Sequence, residues 1–259
     1  MGIKYTNTND SFDKVKNRGM ENPIKKDKDF FLAKGDNFLL KNEYRKAVKE
    51  YLVSLMMDKN SFKAHKGASI AYKKLKKYNK AIKHLKDARN VYSFDSDIYY
   101  ELGLNYLLMA DSENAQKNFI RTIKLCPENK NAQIKLALTH EFSGEKEMAI
   151  MVYKTIIEKN PEFIPAYSNL ASVYIEDNDF EKAIGLFKKA LEINAQYYRA
   201  FLGLGLCFDK MKQYSRAIRY YKKYIAHKPK SDVAKSLIGR IYEIHIRKSK
   251  QEKNLKLIQ

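Results

Sequence analysis

The sequence predicts an all-α chain of stacked helical hairpins, and three observations carry that prediction. Six alanines, Ala47, Ala81, Ala115, Ala149, Ala183 and Ala217, stand 34 residues apart without an insertion or deletion. A fixed period of this length marks a stacked repeat architecture, an α-solenoid in which each unit touches only its neighbours. Four residues after each alanine comes an aromatic or a leucine (Tyr51, Leu85, Phe119, Tyr153, Phe187, Tyr221), and that spacing puts both side chains on one helix face. Gly and Pro number only 10 and 5 in 259 residues, while the strong helix formers Lys, Leu, Ala and Glu are plentiful, so nothing argues for strands.

In chain order, residues 1–27 form a polar amino-terminal arm rich in Asn, Asp, Lys and Ser, with too few apolar side chains to order itself. The periodic region occupies 28–231 and divides into 28–61, 62–95, 96–129, 130–163, 164–197 and 198–231. The third unit shows the pattern best. Tyr99, Leu102, Gly103 and Tyr106 recur on one face of a first helix, and a turn follows at Ala110-Asp111-Ser112. Ala115, Phe119 and Thr122 then line a second helix, and Pro127 closes the unit. Residues 232–259 read as a capping helix with a basic tail. Ile238, Gly239 and Tyr242 repeat the first-helix spacing, but Gln251 stands where the next alanine would.

These residues resemble the tetratricopeptide repeat, whose 34-residue unit carries L-G-x2-Y, then A-x3-F, then P. Leu102-Gly103, Tyr106, Ala115, Phe119 and Pro127 match it, as do Leu204-Gly205, Phe208, Ala217, Tyr221 and Pro229. There is no Trp, and the closing proline is missing after units one, two and five. The resemblance implies a right-handed superhelix of six repeats and a protein-binding scaffold without catalytic activity. A small residue at each helix crossing lets the two backbones approach, which is the task the alanines perform.

The rest of the sequence argues against enzyme chemistry. There is no Gly-rich phosphate loop and no nucleophile elbow. The five histidines, His65, His84, His140, His227 and His245, show no metal-ligand spacing with one another or with Cys, so no metal or cofactor is expected. His140 reads as a core histidine. Cys126 and Cys207 are too far apart to suggest a disulfide framework, and no secretory or membrane-spanning segment is apparent; a cytoplasmic location is expected.

What remains is surface. In the family the first helices line a concave face, and one step off the core stripe that face carries Tyr100, Leu104, Leu107, Ile134 and Leu138. It continues through Ile175, Leu202 and Leu206, with Ser168 and Ser172 between. An exposed apolar strip marks an interaction site. The net charge of +20 concentrates in units two and six, so Lys66, Lys73, Arg199 and Arg240 are expected to form a basic rim. The expected partner is a peptide or amphipathic helix of another protein, acidic at its ends. Nucleic-acid binding through the basic blocks is the alternative, helped by Arg219-Tyr220-Tyr221-Lys222-Lys223-Tyr224, and homo-oligomeric assembly is the third reading. Some members of the family hold a C-terminal carboxylate with a clamp of Lys, Asn, Asn, Lys and Arg. Here Asn169 fits and Arg199 replaces Lys, but Ile134, Leu138 and Gly203 occupy the other places, which excludes that clamp.

Overall fold

Helices begin where a side chain can take up the first unpaired amides, and in this chain those side chains recur with the period. Asp27 accepts from the amides of Asp29 and Phe30, Ser61 from Ala64, Asp95 from Asp97 and Asn129 from Ala132. They open α1 (Lys28–Leu40), α3 (Phe62–Lys74), α5 (Ser96–Leu108) and α7 (Lys130–Phe142). α9 (Ile164–Glu176) has Pro165 in its first turn instead, where its missing amide costs nothing. α11 (Tyr198–Lys210) completes the series of first helices, and the second helices are α2 (Tyr44–Met57), α4 (Tyr78–Val91), α6 (Ser112–Leu125), α8 (Lys146–Lys159), α10 (Phe180–Ile193) and α12 (Tyr214–His227). The computed structural model describes residues 27–233 and 235–243, and α13 takes in the described residues 232–233 and 235–243. Among the described residues no strand occurs.

One turn joins every first helix to its second. Asn42, Lys76, Ala110, Gly144, Asn178 and Lys212 all have φ between +57° and +76°. The amide of the next residue reaches back across each turn, from Glu43 to the Phe38 carbonyl and from Asp111 to that of Tyr106, for example, at 2.8 and 2.9 Å. This bond pattern ends a helix and reverses the chain, and its left-handed residue favours glycine. Only Gly144 supplies one, so Ala110, Lys76 and Lys212 adopt this conformation at a steric cost.

The chain separates into two compact units, Met1–Phe94 and Asp95–Gln259. In the first, α1 to α4 pack in sequence and α1 also touches α3; in the second, α5 to α12 pack in sequence, with α5 on α7 and α9 on α11. All six ladder alanines are completely buried, and the residue four places on is buried in each case. The rings lie against glycines. A Cβ added at Gly103 would stand 2.6 Å from the Phe119 ring, and one added at Gly203 would stand 2.2 Å from the Phe187 ring.

Within the second unit the core alternates. Tyr153 donates its hydroxyl to Glu141, and Tyr221 donates its own to Asp209 at 3.3 Å. Phe119 and Phe187 have no hydroxyl, and the places corresponding to Glu141 and Asp209 hold Leu107 and Ile175. Burial raises the pKa of both tyrosines and of Glu141. Each acid is thus kept next to the donor it needs.

Three expectations need comment here. Asp27, assigned to the arm, belongs to α1 as its cap. The rest of the arm, residues 1–26, and the tail 244–259 lie outside the described residues. In α13 the buried anchor is Ile241, at 0 % exposure, while Tyr242 is 49 % exposed although Phe208, one period earlier, is buried.

Candidate functional site

The first-helix residues expected to line the concave face meet different surroundings along the second unit. On α5, Tyr100, Leu104 and Leu107 pack against Ala115, Phe119 and Leu136, and the Tyr100 and Phe119 ring centroids are 5.9 Å apart. On α7, Ile134 is only 8 % exposed and joins the core around Ala137, Ala149 and Tyr153, with Leu138 packed against it. Ile134 is buried among Ala149, Tyr153 and Ile156 of α8 and Ala166, Leu170 and Val173 of α9. Tyr100, Leu104, Leu107 and Leu138 are half-buried.

The next two first helices differ. One period after Ile134 and Leu138 come Ser168 and Ser172, two small side chains on α9. Ser168 donates to the Pro165 carbonyl at 3.1 Å and Ser172 to that of Ser168 at 3.0 Å, so both are satisfied within their own helix. The missing side-chain volume opens a groove of about 420 Å³ over α9 and α11. Ile175, Leu202 and Leu206 line it with Gly203, and Asn169, Tyr198 and Arg199 bring polar groups to it. The Ser168 and Tyr197 hydroxyls are 3.0 Å apart beside it. Lys228 reaches the groove from the end of α12 with its ammonium 4.6 Å from the Tyr198 ring centre. Ile175, Leu202 and Leu206, expected in the groove, and Arg199, expected at the rim, line this one hollow. Asn169, Tyr198 and Lys228 were not among the residues expected to bind.

The basic residues expected at the rim have different local settings. Arg240 is bonded to Asp209, whose carboxylate is buried, so its charge is neutralised; it borders a smaller hollow with Leu206 and Leu237. Lys66 and Lys73 belong to the first unit, where the Lys66 ammonium lies 5.8 Å from the Phe62 ring centre. The aromatic run of α12 is also engaged internally. Tyr221 is completely buried, Tyr220 stacks on Phe208 at 5.5 Å, and Tyr224 tilts against Tyr198 at 5.9 Å.

Models of the tetratricopeptide repeat match residues 96–129, 152–185 and 174–241. The chain is built of tetratricopeptide repeats. Solved repeat structures agree on the fold. PilW, a type IV pilus biogenesis factor, superposes with a TM-score of 0.67 at 17 % identity, covering 82 % of this chain and 98 % of its own. The pilF protein of Pseudomonas aeruginosa gives 0.64 at 14 %, with 82 % and 97 % covered. YrrB, a repeat protein with an unusual peptide-binding site, gives 0.55 at 20 %, with 66 % and 88 % covered. A search of curated proteins finds no match. No helix among the described residues is long and apolar enough to cross a membrane.

Two histidine environments of this repeat protein lie away from the groove. His140 is buried and bonded to Glu145, with the Gln116 amide 3.3 Å away. Its bond holds the Glu145 carboxyl below the usual range. His65 and His84, by contrast, meet in the first unit with their Nδ1 atoms 3.0 Å apart, and Asp87 stands beside them. Sequence spacing hid this cluster, because its members lie on two helices of one hairpin; only His84 and Asp87, one helical turn apart, were a legible pair. Burial, and next the neighbouring His65, push the His84 imidazole down to about 4.

Proposed function

We propose that this repeat protein is a non-catalytic adaptor that binds a segment of a partner protein in the groove over α9 and α11. The groove itself carries the reading: two serines replace large side chains and leave an apolar floor bordered by donors. Such a site takes an apolar side chain on the floor and a carboxylate near Arg199, which is exposed at the edge. The fitting partner is therefore a short peptide or helix that carries both. Free Cys126 and Cys207 suit a reducing compartment such as the cytoplasm.

Nucleic acid is the weaker reading, because Tyr221 is buried and Tyr220 and Tyr224 already pack against Phe208 and Tyr198.

The test is a panel of fluorescent peptides pairing leucine or phenylalanine with an acidic terminus, measured by anisotropy against the wild type and Ser172→Leu. Leucine is already accommodated one period away on either side, at Leu138 and Leu206, so the variant should fold. It should lose binding at least tenfold. Unchanged affinity in a folded Ser172→Leu protein would show that the groove is not the site.

A further inference from the structure

In the first unit, His65, His84 and Asp87 bring one ligand atom each to within 4.8 Å of one another. His65 comes from α3, one turn after its start, and is buried; His84 and Asp87 come from α4, one turn apart on the same face. We propose that these three side chains form a binding site for a divalent transition-metal cation of the zinc class, which ties α3 to α4.

The proton of His65 sits on a fixed nitrogen. Its Nε2 lies 2.9 Å from the carbonyl oxygen of Lys59. A carbonyl only accepts, so Nε2 carries the hydrogen and neutral His65 presents the bare lone pair of Nδ1 to the cluster. A second-shell bond of this kind, from the far nitrogen to a backbone carbonyl, is what orients and fixes the tautomer of metal-ligating histidines. Without metal, His84 satisfies that lone pair by donating from its own Nδ1, 3.0 Å away. With metal, the His84 proton moves through solvent to Nε2, and both Nδ1 lone pairs turn to the cation. No net proton is gained or lost.

The distances suit a shared cation. Two nitrogens 3.0 Å apart both stand at the ~2.1 Å of a metal–imidazole bond when the angle between those bonds is about 90°. Asp87 Oδ2, 3.9 Å from His65 Nδ1, is half-exposed and closes on a third position by a small side-chain rotation. His84 is held by stacking on Tyr72, with ring centroids 5.4 Å apart and planes 17° from parallel. The remaining positions face a solvent-open hollow of about 750 Å³, which leaves room for water.

The surroundings select the kind of cation. Lys59 and Lys83 also line the hollow, and both are exposed. Their charges oppose a cation held by charge alone, and a single carboxylate is too few oxygens for Mg²⁺ or Ca²⁺. Imidazole ligation selects zinc and its neighbours instead.

The experiment uses the full, untagged chain stripped with chelator and titrated with Zn²⁺ by calorimetry near neutral pH. One equivalent should bind, the thermal midpoint should rise with Zn²⁺, and excess Mg²⁺ should not compete. His84→Gln and Asp87→Asn should each weaken Zn²⁺ binding at least tenfold, with circular dichroism confirming the fold. His140→Gln should leave it unchanged. Absence of Zn²⁺ binding, or binding that both His84→Gln and Asp87→Asn leave intact, would overturn the proposal. Co²⁺ in place of Zn²⁺ gives a second readout, since its visible absorption should vanish in His84→Gln.

Discussion

Repeats three and four and repeats five and six present the same register positions, yet one pair packs solid and the other holds a groove. Tyr100, Leu104, Ile134 and Leu138 interlock over Phe119 and Tyr153; Ser168 and Ser172 leave Leu202 and Leu206 facing a space. The difference is about two side chains of volume on one helix. It teaches that in a stacked array a run of large apolar residues on first helices indicates packing, and that an interruption by small residues leaves a hollow.

That contrast can be broken from either side. The largest effect should come from carving the packed half: Ile134→Ser with Leu138→Ser removes one buried and one half-buried aliphatic and should cost about 4 kcal/mol in denaturant unfolding. A cost under about 1 kcal/mol would mean that the two halves are packed alike. Next comes the core alternation. Tyr153→Phe leaves Glu141 without its donor and should cost roughly 1–3 kcal/mol, whereas Phe187 needs no hydroxyl because Ile175 faces it. Gly203→Ala should destabilise by about 1–3 kcal/mol, since the new Cβ meets Phe187, while Gly185→Ala on open helix surface should stabilise by roughly 0.5–1 kcal/mol.

The pH dependence of Glu141 gives a smaller effect. Burial raises its pKa above the ordinary value near 4.5, so the folded state holds the proton more tightly than the unfolded one. The stability it contributes is fully present below that value and is lost as pH rises through the raised one. Glu141→Gln should flatten this part of the stability profile, measured by urea midpoints across the acid range. A gain comparable to that of Gly185→Ala is expected at the turns: Ala110→Gly should raise stability by about 1 kcal/mol, because glycine accepts the left-handed φ of +59° freely.

The helical fold was legible because the alanine ladder and its partner rings are set by local helix geometry, and so the burial of Ala47 through Ala217 follows from spacing alone. Ile175, Leu202, Leu206 and Arg199 were legible for the same reason. Ile134 and Arg240 were not, because their fates depend on what a neighbouring helix brings: a covering aliphatic in one case, and Asp209 across 31 residues in the other. His65 and His84 escaped notice because 19 residues and a turn separate two rings that the hairpin folds together.

The alternation of Tyr–acid and Phe–aliphatic pairs has a consequence for assembly. A perfectly uniform array has no means of telling one hairpin from the next, and repeat chains are prone to join in the wrong order. Here a helix that exchanged its neighbour for the one 34 residues away would bring Glu141 against Phe119 or Phe187 instead of Tyr153, burying a carboxylate with no donor at roughly 1–3 kcal/mol. The hydroxyls therefore act as an address: each hairpin of the second unit carries a label that its sequence neighbours lack, and the true repeat distance for recognition within the core is two hairpins.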